Sequence, residues 1–347
     1  MKDLKELNRS EIINRLKDAG YPSYRGEQVF NWLYKNGISN TEEMKNIPKD
    51  LRNYLNENYQ LTDLKEINRS QAADGTVKYL WELNDGENIE GVYLPFPESG
   101  RHSACISTQV GCGLGCSFCA TGIDGLKRNL SAGEIVDQVI KIQKDISGDE
   151  FAEPRLSNVV FMGMGEPLAN FDNLMKAVEI LNSNQGLNIG MRKMTISTAG
   201  LVPEIKKLAK VNDQIGLAVS LHAPNDRLRN KIMPINKKYN INQLLNAVVD
   251  YIEKTGRRVT FEYVLMDSVN DSPELSVQLA ELLRGINCHV NLIPANPVPE
   301  LGIERPVQKV IDSFYETLEN NGIQVTLRRE MGSQIDAACG QLKRKEK

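Results

Sequence analysis

The chain has 347 residues, 41% hydrophobic and 25% charged, with a formal net charge of −3. That length exceeds one typical domain and has room for a large α/β core with smaller flanking pieces. The composition excludes a low-complexity chain, no run approaches the roughly 18 apolar residues of a membrane span, and the near-balanced charge leaves any nucleic-acid contact to local basic patches.

The opening stretch, "MKDLKELNRSEIINRLKDAG", mixes both charge signs at helical spacing and lacks the apolar core of a secretory signal, so a cytoplasmic address is expected. Helices are predicted in "NRSEIINRLKDAG", "RGEQVFNWLYKNG" and "PKDLRNYLNENY", with Gly20 and Gly37 at the positions where helix ends favour glycine. Residues 1–60 therefore read as a small helical domain. From 61 to 96 the period changes to that of strands, in "TVKYLWEL" and "IEGVYLPF", with Asn84-Asp85-Gly86 as the turn between them. This segment reads as a β-rich connector.

Beyond it, strand and helix signals alternate. Strand-like runs fall at 103–108, 156–163, 193–198, 214–221, 258–266 and 288–294, and helical patterns at about 132–146, 171–183, 202–209, 241–255, 272–284 and 305–321. Six such units in register predict an α/β fold, with a parallel sheet curled into an open (β/α)6 partial barrel over residues 97–297. Residues 298–347 then hold the last strand and helix elements and an extension carrying Cys339. Parallel sheets of this kind place ligands at the carboxyl ends of their strands. The least ordinary residues of the chain fall there: a cysteine cluster, "GMGEP", "STAG", "SLHAPND" and "PANP".

Four of the six cysteines lie in "CISTQVGCGLGCSFC", residues 105–119. Thiols stay reduced in the cytoplasm, so the cluster favours a metal or a catalytic use over a disulfide framework. Cys112, Cys116 and Cys119 supply three thiolates from one loop, which leaves one iron of a four-iron cluster without a protein ligand. With Phe118 before the last cysteine, the spacing resembles the radical S-adenosylmethionine (SAM) superfamily, whose open iron chelates SAM. The competing reading is a structural zinc site of four thiolates that also uses Cys105.

"GMGEP" ends a strand with two glycines that allow close backbone approach and a carboxylate that can accept from an ammonium group. The resemblance assigns Gly165 and Glu166 to the amino group of SAM. Ser197, Ser220, Leu221, His222 and Asn296 fall at strand ends around the same expected pocket and are candidates for ribose, carboxylate or adenine contacts. For each polar one, a cap or turn role competes.

Taken together, "CISTQVGCGLGCSFCATG", "FMGMGEPLAN", "SLHAPND" with "MPINKKYN", and "QIDAACGQL" resemble the RlmN family of dual-specificity rRNA/tRNA adenine carbon-2 methyltransferases, over nearly the whole chain. The resemblance implies a [4Fe–4S] cluster and two SAM molecules per turnover. One SAM methylates Cys339, and the second is cleaved to a 5′-deoxyadenosyl radical that takes a hydrogen from that methyl group. The carbon radical adds to carbon 2, an electron and the carbon-2 proton leave, and Cys105 attacks the Cys339 sulfur to free the product with a transient disulfide. It implies Glu90 as proton acceptor, 23S rRNA and tRNA as substrates, a flavodoxin- or ferredoxin-like electron donor and a monomeric enzyme away from membranes. Basic pairs offered for RNA phosphates are Lys127-Arg128, Arg192-Lys193, Arg227/Arg229/Lys231, Lys237-Lys238, Arg257-Arg258, Arg328-Arg329 and the "KRKEK" tail. Alternatives are a carbon-8 rRNA adenosine methyltransferase of the Cfr type, a radical SAM enzyme acting on a small molecule, and a zinc-stabilised RNA-binding module.

Overall fold

Three helices build the front of the molecule: α1 (Arg9–Asp18), α2 (Ser23–Tyr34) and α3 (Lys49–Asn58). At α1 the Asn8 side chain accepts from the Glu11 N–H while the Glu11 carboxylate accepts from the Asn8 N–H, which satisfies donors that a helix start leaves open. Gly20 follows α1 at φ 87, and Gly37 follows α2 at φ 61, conformations that cost other residues energy. The computed structural model describes residues 1–148, 153–211, 214–338 and 340–342. A two-residue strand β1 (Lys2–Asp3) pairs in parallel with β2 (Tyr59–Gln60), closing the helical unit on itself.

The strands that follow are β3 (Lys65–Gln71), β4 (Val77–Glu82), β5 (Asn88–Phe96), β6 (Arg101–Cys105), β7 (Gln109–Gly111) and β8 (Leu126–Asn129). The alternating part then runs α4 (Ala132–Ser147), β9 (Asn158–Phe161), α5 (Phe171–Asn182), β10 (Met194–Thr198), α6 (Val202–Val211) and β11 (Gly216–Ser220). It continues as α7 (Asp226–Ile232), α8 (Ile241–Thr255), β12 (Val259–Leu265), α9 (Pro273–Leu283), β13 (Cys288–Pro294), α10 (Gln308–Asn320) and β14 (Val325–Leu327).

Among the described residues, ten strands form one sheet in the order β14-β13-β12-β11-β10-β9-β6-β5-β4-β3. From β6 to β14 every pairing is parallel, so six strands separated by helices form the expected partial barrel and β14 extends it. The segment 61–96 does not stand apart: β5 pairs antiparallel with β6 from Val92↔Cys105 to Phe96↔Arg101, and β4 and β3 follow. An exposed edge on β6 would be left otherwise, and these hairpins cover it. A further pair that the sequence pattern did not announce, β7 with β8, brackets the cysteine loop.

The helical front is fastened to the barrel by a buried ion pair, Lys5 Nζ to Asp137 Oδ1 at 2.6 Å, and Asp137 Oδ2 also accepts from the Leu64 N–H at 2.9 Å. Gly133 on α4 makes room, since a Cβ there would stand 3.3 Å from the Lys5 backbone. Alternation along the strands sends Leu94, Phe96, Ser103, Cys105, Val160, Glu262, Asn291 and Ile293 to one side, where they line a cavity of about 510 Å3.

Candidate active site

The cysteine loop leaves β7 through Gly111, at φ 73, where a Cβ would stand 2.0 Å from the Gly125 carbonyl oxygen; only glycine lets the two sides meet. The Cys112 N–H then donates to Gly125 O (3.1 Å), and the Cys119 N–H to Cys116 O (3.2 Å), so the triplet wraps into a tight turn. Burial pushes the Cys112 thiol up to about 11, with the nearby Cys119 and Glu166 charges adding to it. Cys116 is pushed up by burial, by Cys119 and by Cys112, while Arg229 pulls the other way. Three thiols close enough to resist one another's ionisation are a donor set that a cluster cation relieves, and soft thiolates are its preferred ligands. Among the described residues no three His, Cys, Asp or Glu side chains converge on a single ion, whereas a four-iron cluster takes each thiolate on a separate iron.

Gly163, Gly165 and Glu166 follow β9. A Cβ on Gly165, at φ 100, would meet the Gln109 side chain at 2.5 Å, and one on Gly163 would meet the Ile106 backbone at 2.7 Å. Glu166 is buried, and its carboxylate accepts from the N–H groups of Leu168 (3.1 Å) and Ala199 (2.7 Å). Burial pushes its carboxyl up to about 7 against the lowering effect of the Ala199, Thr198 and Leu168 hydrogen bonds.

His222 follows β11 with φ 54, a left-handed conformation unusual for a residue with a side chain. Its Nδ1 accepts from the Val264 N–H at 2.9 Å, and burial, helped by Arg229, pushes it down to about 3; the ring is neutral. The same ring meets Phe118 edge-on at 4.8 Å, next to Cys119 in the chain. Leu221 is fully buried, while Ser197 and Ser220 are half-buried at the ends of β10 and β11. Asn296 lines the cavity together with Cys105 and Cys119.

Glu90 is buried at the start of β5, which runs against its neighbours and so begins at the cysteine end of the barrel. Its N–H donates to Met164 Sδ at 3.3 Å, and its carboxylate pairs with Lys78 Nζ at 3.4 Å. Cys339 lies outside the described residues, but its neighbours Ala338 and Gly340 line the cavity that holds Cys105 and Cys119. The segment is clamped to the cysteine loop: the Ala120 N–H donates to Gly340 O (2.8 Å) and Thr121 Oγ1 to Leu342 O (2.6 Å).

The basic residues divide. Arg229 is not a phosphate contact: it is fully buried, and its guanidinium donates to the Leu221 (3.1 Å), Ser220 (2.9 Å) and Ala199 (2.7 Å) carbonyls and to Asn236 Oδ1 (2.9 Å). Burial pulls it down to about 10, and nothing in the helical pattern of α7 distinguishes it from its exposed neighbours Arg227 and Lys231. Arg192-Lys193 and Arg257-Arg258 precede β10 and β12, at the end of the barrel opposite the cysteines, where Arg192, Arg257 and Arg258 line a second cavity. Arg128 is engaged by Asp85 (2.6 Å) and Glu134 (2.8 Å), Arg328 lines the first cavity, and the "KRKEK" tail lies outside the described residues. Sequence reasoning missed Glu262 and Asn291, joined at 2.8 Å inside the barrel; the available signal was Thr260 with Glu262 on β12 and His289 with Asn291 on β13, polar at alternate positions.

A parallel partial barrel with three cysteines on the loop after its first parallel strand defines a radical SAM enzyme, and the Radical SAM superfamily profile matches residues 106–280. The front carries a match over residues 2–61 to the Ribosomal RNA large subunit methyltransferase N-terminal domain. The crystal structure of a radical SAM methyltransferase from Sphaerobacter thermophilus is similar at a TM-score of 0.94 and 46% identity, over 99% of both chains. Relatives from Bacillus cereus and Bacillus cytotoxicus, each described as "Probable dual-specificity RNA methyltransferase RlmN", are 48% and 49% identical over 98% of this chain and 93% of their own. The chain belongs to the RlmN family. It is a radical SAM methyltransferase, of a superfamily that implies a [4Fe–4S] cluster and SAM, and the zinc-stabilised binding module is set aside. Among the described residues no helix is long and apolar enough to cross a membrane.

Proposed function

We propose that this enzyme methylates carbon 2 of adenosine in 23S rRNA, at the peptidyl-transferase centre, and in tRNA beside the anticodon, with two SAM molecules per turnover. The observation that carries this reading is the shared cavity, where Cys105 and Cys119 meet Ala338 and Gly340, the neighbours of Cys339. Carbon 2 of adenine has no lone pair to offer an electrophilic methyl group, so a methyl carrier inside the site answers a chemical need.

Cys112, Cys116 and Cys119 would hold the cluster, which when bound supplies the electron that cleaves SAM to methionine and a 5′-deoxyadenosyl radical. Gly165 and Glu166 would face the SAM ammonium group, with Ser197, Ser220, Leu221, His222 and Asn296 around the rest of the molecule. For His222 and Leu221 the backbone is the group to offer, because the His222 ring nitrogen already accepts from Val264 and Leu221 is apolar. Cys339 carries the methyl group, and Glu90 takes the carbon-2 proton. Cys105 attacks the Cys339 sulfur: a sulfur–sulfur bond forms, the sulfur–carbon bond breaks, and the electron pair leaves with the carbon, which takes a proton to become the product methyl. The disulfide is reduced before the next turnover.

The target adenine must leave its stack to enter the barrel, which favours loops and costs a few kcal/mol. Exposed Lys127, Arg227, Lys231, Lys237 and Lys238 stand at the cysteine end of the barrel and would meet phosphates there. We assign residues 1–60 to RNA docking, 61–96 to the sheet extension that carries Glu90, 97–297 to the radical SAM core and 298–347 to delivery of Cys339. A monomer in the cytoplasm, reduced by a flavodoxin- or ferredoxin-like protein, completes the reading.

The test is anaerobic reconstitution with iron and sulfide, incubation with SAM, a reductant and unmodified 23S rRNA or tRNA, and mass spectrometry of the digested nucleosides. 2-Methyladenosine is expected; 8-methyladenosine would transfer the enzyme to the Cfr-type chemistry, and no methylated adenosine from a cluster-loaded enzyme would refute the substrate assignment.

A further inference from the structure

Lys78 is a buried ammonium on β4, facing the barrel interior, and two parts of the chain far apart in sequence converge on it. Its Nζ stands 3.4 Å from Glu90 Oε1 and donates to the Asp336 carbonyl at 3.2 Å. In the β4–β5 ladder Lys78 is opposite Val92 and Leu80 is opposite Glu90, so lysine and glutamate are diagonal neighbours on one face, within reach only for a long side chain. Asp336 comes three residues before Cys339 and is held at φ 52, in the left-handed region that aspartate tolerates better than most residues with a side chain. The same segment is pinned again at Gly332, whose N–H donates to Asp74 Oδ2 at 3.0 Å at the β3–β4 turn.

Burying an ion pair gives little net stability, and a well-packed apolar pair of the same volume commonly does as well. A lysine here therefore calls for another use. We propose that Lys78 is a positioning residue that orients the Glu90 carboxylate and locks the Cys339-bearing segment to the same strand, so that proton acceptor and methyl carrier hold a common register across the cavity. Lys78 touches no reacting atom. The inference rests on the reading of Glu90 as proton acceptor and Cys339 as methyl carrier.

The experiment compares Lys78→Met, Lys78→Arg, Glu90→Gln and the Lys78→Met/Glu90→Gln double variant as cluster-loaded enzymes, with unfolding of the metal-free proteins as a second readout. Lys78→Met is expected to slow methyladenosine formation by about tenfold or more, the scale of a misplaced group, and to accumulate the RNA–protein adduct, as is also expected of Glu90→Gln. Lys78→Arg should recover most of the rate, and the double variant should lose much less than the product of the two single losses. In the metal-free proteins, Lys78→Met should lower the melting temperature by several degrees, and adding Glu90→Gln should restore part of it, because the buried charge that lost its ammonium partner is then gone. Near-wild-type turnover by Lys78→Met, or independent losses in the double variant, overturns the inference. Loss of Cys339 methylation without adduct also overturns it, leaving only a tether. If Glu90→Gln itself turns over normally, the proton-acceptor reading fails instead, and the two failures are told apart by that single variant.

Discussion

Glu166 Oε2 accepts a hydrogen bond from the Ala199 N–H at 2.7 Å, so one buried carboxylate stitches the loop after β9 to the end of β10. The brace holds together two of the strand-end loops from which SAM contacts are proposed.

Its titration leaves a signature. Burial raises the carboxyl to about 7 from an ordinary 4.5, so the folded protein holds this proton more tightly than the unfolded chain does. The stabilisation is fully present below about pH 4.5 and is lost as pH rises through about 7. At roughly 1.4 kcal/mol per pKa unit this amounts to ~3 kcal/mol. Urea unfolding of the metal-free protein at pH 5 and pH 8 should show a smaller pH difference in Glu166→Gln than in the wild type; equal differences would refute the assignment.

Arg229 joins the ends of β10 and β11 through three carbonyls. Arg229→Met should lower the unfolding free energy by about 3 kcal/mol, because buried acceptors lose a charged partner. It should also reduce the iron retained after reconstitution, since Cys116 feels this guanidinium. An unchanged denaturation midpoint would show that water or a neighbour replaces it.

Gly165 has neither the φ nor the space for a side chain, with Gln109 2.5 Å from a would-be Cβ. Gly165→Ala is expected to destabilise by about 2 kcal/mol or more and to weaken SAM binding, read by calorimetric titration and by denaturant unfolding. Gly20→Ala serves as the comparison, since its added Cβ meets nothing within 4 Å and its cost is backbone strain alone.

Single alanine variants of Cys112, Cys116 and Cys119 should each lose most of the iron and acid-labile sulfide of the reconstituted protein, and the visible absorption with it. Cys288→Ala should keep both, because Cys288 is buried at the start of β13, away from the loop. A cluster retained in any of the three would remove that cysteine from the ligand set.

The two remaining thiols are expected to fail differently. Cys339→Ala should still cleave SAM but form no methyladenosine, while Cys105→Ala should trap RNA on the protein as a thioether, visible as a slow-migrating band that nuclease removes. Free turnover by Cys105→Ala would end its assigned role.

The strands and helices of the barrel were legible because their apolar periods are local, and the cysteine triplet because three thiols on one loop need only a short spacing. "GMGEP" was legible too, as glycine marks close approach wherever it occurs. Burial was not legible in the same way. Arg229 and Arg227 sit on one short helix, and only packing decided that the first would be enclosed by carbonyls and the second left in solvent. Nor could a strand pattern say that β3–β5 would continue the barrel sheet, since an alternating strand fits any free edge of matching register. Lys78, Glu90 and Asp336 make the point most sharply. The sequence by itself determined each side chain's charge and its place on a strand or segment, while their meeting depends on contacts up to 258 residues apart, where the chain's long-range packing, and not any local preference, selects the partner.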